Sequence, residues 1–189
     1  GSVTNDRAQL LFGFNTPPGD REMGRVNRAT FVADQDRLMD LASRHFDSIW
    51  CSDHVMEGDR YRIEPWTQAT WLLARFPTIT IGHNVICNSY RHPPLMAKMS
   101  ASIQQISGGR FILGYGAGWL EPEYRAYGWE FPSAKVRIAQ MDEAIRIIKA
   151  MWTESPATFH GEYYQVENAD CEPRPDPLPP ILIAGEGEK

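Results

Sequence analysis

The sequence predicts an α/β fold in which helices cover a mainly parallel sheet. Short apolar segments with strand character alternate along the chain with longer segments whose apolar residues recur at helical spacing. This alternation is typical of parallel strands joined by helical crossovers. Polar or glycine-rich residues follow each predicted strand, which is the place where parallel α/β proteins bind their ligands.

The first half of the chain predicts three strands and two helices. Residues 10–14 form an apolar strand that stops at a Pro- and Gly-containing loop, and apolar residues at helical spacing predict a helix over about 30–45. Residues 48–52 follow as a second strand. Glu64 and Pro65 begin a helix that runs through Leu73, with proline in a tolerated first-turn position. A run of branched residues over 78–87 predicts the third strand.

The second half predicts two more strands of the main sheet. A helix over 94–106 ends at Gly108, residues 110–115 form the fourth strand, and a long helix begins near Ser133 and extends to Trp152. Residues 158–159 and 163–165 predict a small hairpin. The Pro-rich segment 170–180 is interpreted as an extended connector to a fifth strand at 181–184.

Composition excludes several classes of function. The net charge of −5 and the scattered Lys and Arg residues give no general attraction to nucleic acid or to an anionic membrane, and no apolar run approaches the roughly 20 residues that span a bilayer. His, Cys and carboxylate residues lack metal-ligand spacing, so we predict no metal site. Three distant cysteines favour a reducing, cytoplasmic setting. Residues 1–9 are interpreted as a tag remnant and N-terminal tail, and 10–189 as one domain.

The most informative segment is the glycine-rich run from Gly108 to Trp119. Its apolar strand breaks into Gly114, Gly116 and Gly118, which would let a ligand approach the backbone closely because no side chain intervenes. The spacing differs from the G-x-G-x-x-G dinucleotide fingerprint. A tight turn explains such a run equally well when it is taken alone.

Unusual residues at all five strand ends predict one shared pocket. These strand-end segments are 14–15, 52–54, 84–87, 117–119 and 185–187. Asp53 and His54 are the best candidates for polar chemistry, since a histidine can exchange protons near neutral pH. The alternative is that Asp53 caps a loop while His54 faces solvent. Cys87 either lines the pocket or is a small buried hydrophobic residue.

Several motifs occur together in a recognisable order. They are Phe46–His54, Arg91–Lys98, Gly108–Gly128, Trp152–Glu154, Phe159–Tyr164 and Pro179–Lys189. From about Leu10 to the last residue the chain resembles the bacterial luciferase-like monooxygenase superfamily, most closely its coenzyme F-420 (F420)-dependent oxidoreductase branch. The resemblance implies a (β/α)8 TIM-type barrel, of which this chain covers about the first five strands, with a small hairpin insertion before strand five.

The resemblance also implies roles for particular residues. Asp53 contacts the deazaflavin and His54 transfers a proton, while Asn84 and Val85 form a bulge with a cis peptide that backs the cofactor ring. Cys87, Ala117, Gly118, Gly185 and Glu186 complete the expected cofactor site, with Gly185 at the start of the phosphate region. Glu186 places a negative charge where many relatives have glycine.

One position departs from the family pattern. Sugar-phosphate dehydrogenases of the F420 branch have a catalytic glutamate where this chain has Trp119, so that substrate class and that acid are in doubt. We expect Trp119 and Phe14 to line the substrate pocket. Glu121 and Glu123 are interpreted as solvated carboxylates at a helix start.

The expected function is hydride transfer between coenzyme F420 and an unidentified small organic substrate. An FMN-dependent monooxygenase of the same superfamily is the alternative enzyme. An alternative of another class is an inactive half-barrel fragment without turnover. As partners we expect a small-molecule substrate and a second copy of the chain, in a homo-oligomer or a domain-swapped association.

Overall fold

The computed structural model describes residues 10–22 and 24–185. The predicted tag remnant over 1–9 and the predicted cofactor contact Glu186 lie outside the described residues. The strands are β1 Gly13–Asn15, β2 Ser48–Cys51, β3 Thr80–His83, β4 Ile86–Cys87, β5 Phe111–Gly116, β6 Ala157–His160, β7 Gln165–Ala169 and β8 Ile181–Ile183. The helices are α1 Phe31–Ala42, α2 Pro65–Arg75, α3 Pro93–Ser107, α4 Glu121–Tyr127 and α5 Ala134–Thr153.

The main sheet is entirely parallel, as the alternation of strands and helices predicts. Its order runs β1-β2-β3-β5, and β5 also pairs with β4 and β8. The predicted α/β architecture is therefore confirmed. Within the described residues β1 and β8 are the two edges of this sheet, so closure into a barrel is not seen there.

The predicted third strand is two strands, β3 and β4, separated by a bulge. Gly82 of β3 pairs with Ile112 of β5, and Ile86 of β4 pairs with Tyr115 of β5. The chain therefore advances four residues from β3 to β4 while β5 advances three. One residue is therefore unpaired at this point. The peptide between Asn84 and Val85 inside the bulge is cis, which confirms that expectation of the resemblance.

The two faces of the sheet are filled in different ways. Alternate residues such as Ile49, Ile81 and Leu113 are fully buried beneath the helices and form the core. On the opposite face the Trp50 indole spans neighbouring strands, because a Cβ at Gly13 would lie 2.5 Å from its Nε1 and a Cβ at Gly82 2.7 Å from its Cζ3. The two glycines thus make the room that one tryptophan fills.

The predicted hairpin is present as the antiparallel pair β6 and β7. A buried carboxylate, that of Glu143 on α5, holds its turn by accepting backbone N–H bonds from Glu162, Tyr163 and Tyr164. A Cβ at Gly161 would lie 2.2 Å from this carboxylate, so the turn requires glycine there. The hairpin is therefore anchored to helix α5.

No described helix combines the length and the apolar character that crossing a bilayer requires. In the described part of the chain, no three His, Cys, Asp or Glu side chains come together as a set of metal ligands. Cys51, Cys87 and Cys171 are all buried and free.

Candidate active site

A polar cavity of about 340 Å³ opens where β1, β2 and β3 end. Residues from all three strand ends and from the loop after β2 line it, among them Asn15, Trp50, Ser52, His54, Arg62 and Asn84. Three of the five predicted strand-end segments therefore meet at this cavity, through Asn15, through Ser52 and His54, and through Asn84, whereas residues 117–119 and Gly185 do not line it. That all five form one pocket stays a prediction. His54 is the residue in it whose imidazole can both donate and accept a hydrogen bond.

His54 is held by a carboxylate from α4. Its Nδ1 lies 3.1 Å from Oε2 of Glu123, and its side chain is 22% exposed. Glu123 also accepts hydrogen bonds from the Tyr90 hydroxyl and from the backbone N–H groups of Val55 and Met56. The carboxylate therefore fixes both the histidine ring and the loop that follows it.

The expectation that Glu123 is a solvated helix-start residue is wrong. Its side chain is fully buried, because the polypeptide after His54 folds over it. Burial by itself would raise the pKa of Glu123, but the hydrogen bonds from His54, Tyr90 and Met56 outweigh it and lower that pKa. An ionised carboxylate only accepts hydrogen bonds, so Nδ1 of His54 carries a proton and Nε2 is left to exchange one.

Asp53 is fully buried beside His54, and its carboxylate is bound on both oxygens. Arg91 reaches it with two nitrogens at 2.9 Å each, and the Cys87 N–H donates to it at 2.7 Å. Arg91 also pairs with Glu64, the residue that caps α2. In this structure that carboxylate joins the ends of β2 and β4, and its expected contact with a cofactor stays a prediction.

The bulge at Asn84 and Val85 presents one polar and one apolar side chain. Asn84 is exposed, and its Nδ2 donates to Oδ1 of Asn15 at 2.8 Å. Val85 packs over β5, where a Cβ at Gly116 would lie 2.5 Å from its Cγ2. Asn84 lines the cavity, and Val85 beside it is half-buried.

Asn15, rather than Phe14, provides the β1 side chain of the cavity. Successive side chains of a strand point to opposite faces, and Phe14 packs on Phe46 in the layer between the sheet and α1, with ring centroids 5.2 Å apart. The expected place of Phe14 in the substrate pocket is therefore corrected. The sequence signal for this was the alternation of side chains along β1. Gly13 lies on the same face as Trp50, so the next residue, Phe14, points to the opposite face.

Cys87 and Gly118 form a packed group with Tyr124. The Cys87 Sγ lies 3.0 Å from the Tyr124 hydroxyl, and burial raises the pKa of this thiol to about 11. Gly118 has φ +80°, and a Cβ there would lie 1.9 Å from the same hydroxyl, which also bonds the Ala117 carbonyl at 3.3 Å. In this structure these residues shape the loop after β5, and the thiol is protonated.

Trp119 stands at the mouth of the site. Its side chain is 69% exposed, and its ring meets that of His54 edge-on, with centroids 5.6 Å apart. An exposed indole at this position can stack on a bound molecule. Gly185 follows β8 at the far edge of the sheet, and among the described residues nothing lies within 4 Å of the position its Cβ would take.

Comparison with known proteins gives this geometry a context. The family model described as luciferase-like monooxygenase matches residues 12–189. An F420-dependent glucose-6-phosphate dehydrogenase of Amycolatopsis mediterranei (strain U-32) is 33% identical over 153 residues, which cover 75% of this chain and 44% of that protein. The chain thus spans about half the length of the curated relatives it matches.

Solved structures show the same fold. An F420-dependent secondary alcohol dehydrogenase in complex with an F420-acetone adduct superposes with a TM-score of 0.79 at 23% identity, covering 93% of this chain and 53% of that one. A type II Baeyer-Villiger monooxygenase from Pseudomonas putida in complex with FMN superposes with a TM-score of 0.70 at 22% identity, covering 92% of this chain and 51% of that one. At these identities the likeness establishes the fold.

Proposed function

This chain belongs to the luciferase-like monooxygenase family, and from that premise we propose that it forms part of an oxidoreductase that transfers hydride between coenzyme F420 and a small organic substrate. The observation that carries the proposal is the His54–Glu123 pair at the carboxyl ends of the strands, beside the cis bulge of Asn84 and Val85. A relative that is 33% identical is named as F420-dependent, which favours F420 over FMN.

The residues at this end of the sheet fit a deazaflavin ring. Val85 offers an apolar surface and Asn84 an amide, and His54 lies in the same cavity as that amide. When bound, F420 supplies a carbon that accepts or donates hydride. We expect the Gly185 backbone and the residues after it to meet the cofactor phosphate, as the family resemblance implies.

His54 would move the proton that accompanies the hydride. Its Nδ1–H is committed to Glu123, so Nε2 is the atom that accepts a proton from the substrate or returns one to it. Trp119 would lie over the substrate and keep water from the reacting atoms. Asp53 and Arg91 would act indirectly, because their ion pair holds the end of β2 from which His54 projects.

Cofactor titration distinguishes the three candidates. We expect this chain, and a protein extended to the length of its relatives, to quench the fluorescence of F420 with saturation and to bind FMN at least about 10-fold more weakly, a difference of roughly 1.4 kcal/mol. Asn84→Ala and Val85→Ala should weaken F420 binding, whereas His45→Gln, on the exposed surface, should not. Preferential FMN binding would support the monooxygenase alternative. Binding of neither cofactor by either protein would support an inactive chain.

A further inference from the structure

Two residues that line the cavity each carry a buried polar atom with no hydrogen-bond partner among the described residues. These atoms are the Ser52 hydroxyl oxygen and the Nε of Arg62. The Arg62 side chain is only 9% exposed, so water does not freely solvate its guanidinium. Buried donors in native proteins almost always find a partner, and leaving one unpaired costs free energy. An acceptor placed beside these two groups would satisfy both of them.

Two loops are fastened together to hold Arg62 in this position. The Asp20 carboxylate accepts the N–H of Val26 at 2.7 Å and that of Tyr61 at 2.9 Å, which joins the loop after β1 to the loop after β2. Gly19, with φ +151°, allows the close approach, because a Cβ there would lie 1.9 Å from the Tyr61 carbonyl oxygen. Arg62 is thus fixed by backbone contacts on both sides.

The charges on this wall of the cavity are positive in sum. Glu57 pairs with Arg60 through one carboxylate oxygen and with an Nη of Arg62 through the other, so two guanidinium groups share one negative charge. Arg21 also lines the cavity, and in the described part of the chain no carboxylate lies within ion-pair distance of it. This local excess of positive charge occurs in a chain whose net charge is −5.

We propose that Arg62 and Ser52 bind an anionic group, a carboxylate or a phosphate, of the substrate. The inference rests on the proposed function, because His54 lines the same cavity and would meet the reacting end of the molecule that Arg62 holds. The Arg62 Nε–H and the Ser52 hydroxyl would donate to the anion, and Arg21 would attract it from solvent. The cofactor phosphate is expected beyond Gly185, at the other edge of the sheet, so the substrate is the source of this anion.

The test uses the chain itself and needs no turnover. The Nε–H resonance of Arg62 is followed by ¹H–¹⁵N NMR while acetate, inorganic phosphate or glycerol is added. We expect saturable shifts with one or both anions and none with glycerol. Arg62→Gln should weaken anion binding roughly 10- to 100-fold, which is the effect of losing one charge-assisted hydrogen bond. Ser52→Ala should weaken it several-fold, whereas Arg44→Gln, at an exposed position just after α1, should leave it unchanged.

Each contrary result is decisive. Equal affinity for glycerol, or anion binding that survives both Arg62→Gln and Ser52→Ala, would overturn the proposal, and so would an ordered water that bridges the two atoms with no anion binding. Should Arg62→Gln fail to fold, as judged by thermal unfolding, Ser52→Ala and the wild-type resonance still decide the question. Displacement of phosphate by saturating F420 would overturn the assignment to the substrate. Absence of F420 binding with intact anion binding would overturn the proposed function and leave the anion site standing.

Discussion

At the scale of single residues, the His54–Glu123 pair determines which nitrogen can take up a proton. In an enzyme extended to the length of its relatives, we expect His54→Ala to slow the chemical step by roughly 10²- to 10⁴-fold, the usual contribution of a general acid or base. Cofactor affinity should fall much less. Stopped-flow measurement of single turnovers separates the two effects, and equal losses of binding and turnover would make His54 a scaffold contact.

Glu123 is expected to act on the reaction through His54, as a positioning residue. Glu123→Gln keeps the size of the side chain but lets its amide donate toward Nδ1, which would move the histidine proton to Nε2. We expect a loss of roughly 10²-fold in the chemical step and an altered pH profile. ¹⁵N NMR of the imidazole would report the change of tautomer directly.

Glu121→Gln is the matched control for this substitution. Glu121 lies two residues earlier on the same helix, and its half-exposed carboxylate pairs with Arg125 on the surface. The substitution Glu121→Gln should leave both the tautomer of His54 and the rate of the chemical step unchanged. A wild-type histidine that carries its proton on Nε2 would contradict the assigned role of Glu123.

At the scale of elements, the bulge between β3 and β4 depends on a glycine in the neighbouring strand. A Cβ at Gly114 of β5 would lie 1.8 Å from the His83 carbonyl oxygen, a backbone atom that cannot move without displacing β3. We expect Gly114→Ala to reduce the free energy of unfolding by about 2–4 kcal/mol in urea titrations. Gly24→Ala, where nothing lies within 4 Å of the added Cβ, should cost little. Similar stabilities for both variants would contradict this account.

The contact between β3 and α2 makes stability depend on pH. His83 is fully buried, stacks on Trp66 with centroids 5.4 Å apart, and has a pKa lowered by burial below its ordinary value of 6.5, although Asp53 opposes the shift. Its neutral form is favoured in the folded state, so stability should be full above pH 6.5 and fall as the pH drops below it, by up to about 1.4 kcal/mol per pH unit. His83→Phe should remove this slope, and the exposed variant His45→Gln should retain it. Unfolding titrations at pH 5 to 8 give the comparison.

At the scale of the whole molecule, the β8 edge of the sheet is open to association. Among the described residues β8 pairs only with β5, and the side chains of Leu182 and Ile183 are 46% and 59% exposed. Exposed apolar edge strands pair readily with other chains. We expect this chain to self-associate, with a mass in sedimentation experiments that rises with concentration.

Ile183→Lys tests this edge, because a charged residue there disfavours strand pairing. It should shift the sedimentation behaviour toward monomer, whereas Val32→Lys, at an exposed position of α1, should not. A compact monomer at all concentrations of the unsubstituted chain would contradict the expected association.

The sequence by itself determined the order of the elements and the end of the sheet at which the predicted site residues lie. Hydrophobic periodicity and turn residues act over a few neighbouring positions, so the alternation of strand and helix could be read directly. The placement of His54 after β2 followed from the same local pattern. The cis bulge and the family followed from motifs such as the run from Gly108 to Trp119.

Only the tertiary structure decided which side chains share the site. Glu123 reaches His54 across 69 positions, and Arg91 reaches Asp53 across 38, so no local pattern could pair them. The fold turned an expected surface carboxylate into the partner of the histidine, and it buried Asp53 in an ion pair with Arg91. Contacts between loops distant in sequence depend on how the strands align and the helices pack, and those contacts set the burial, charge and proton position of the site.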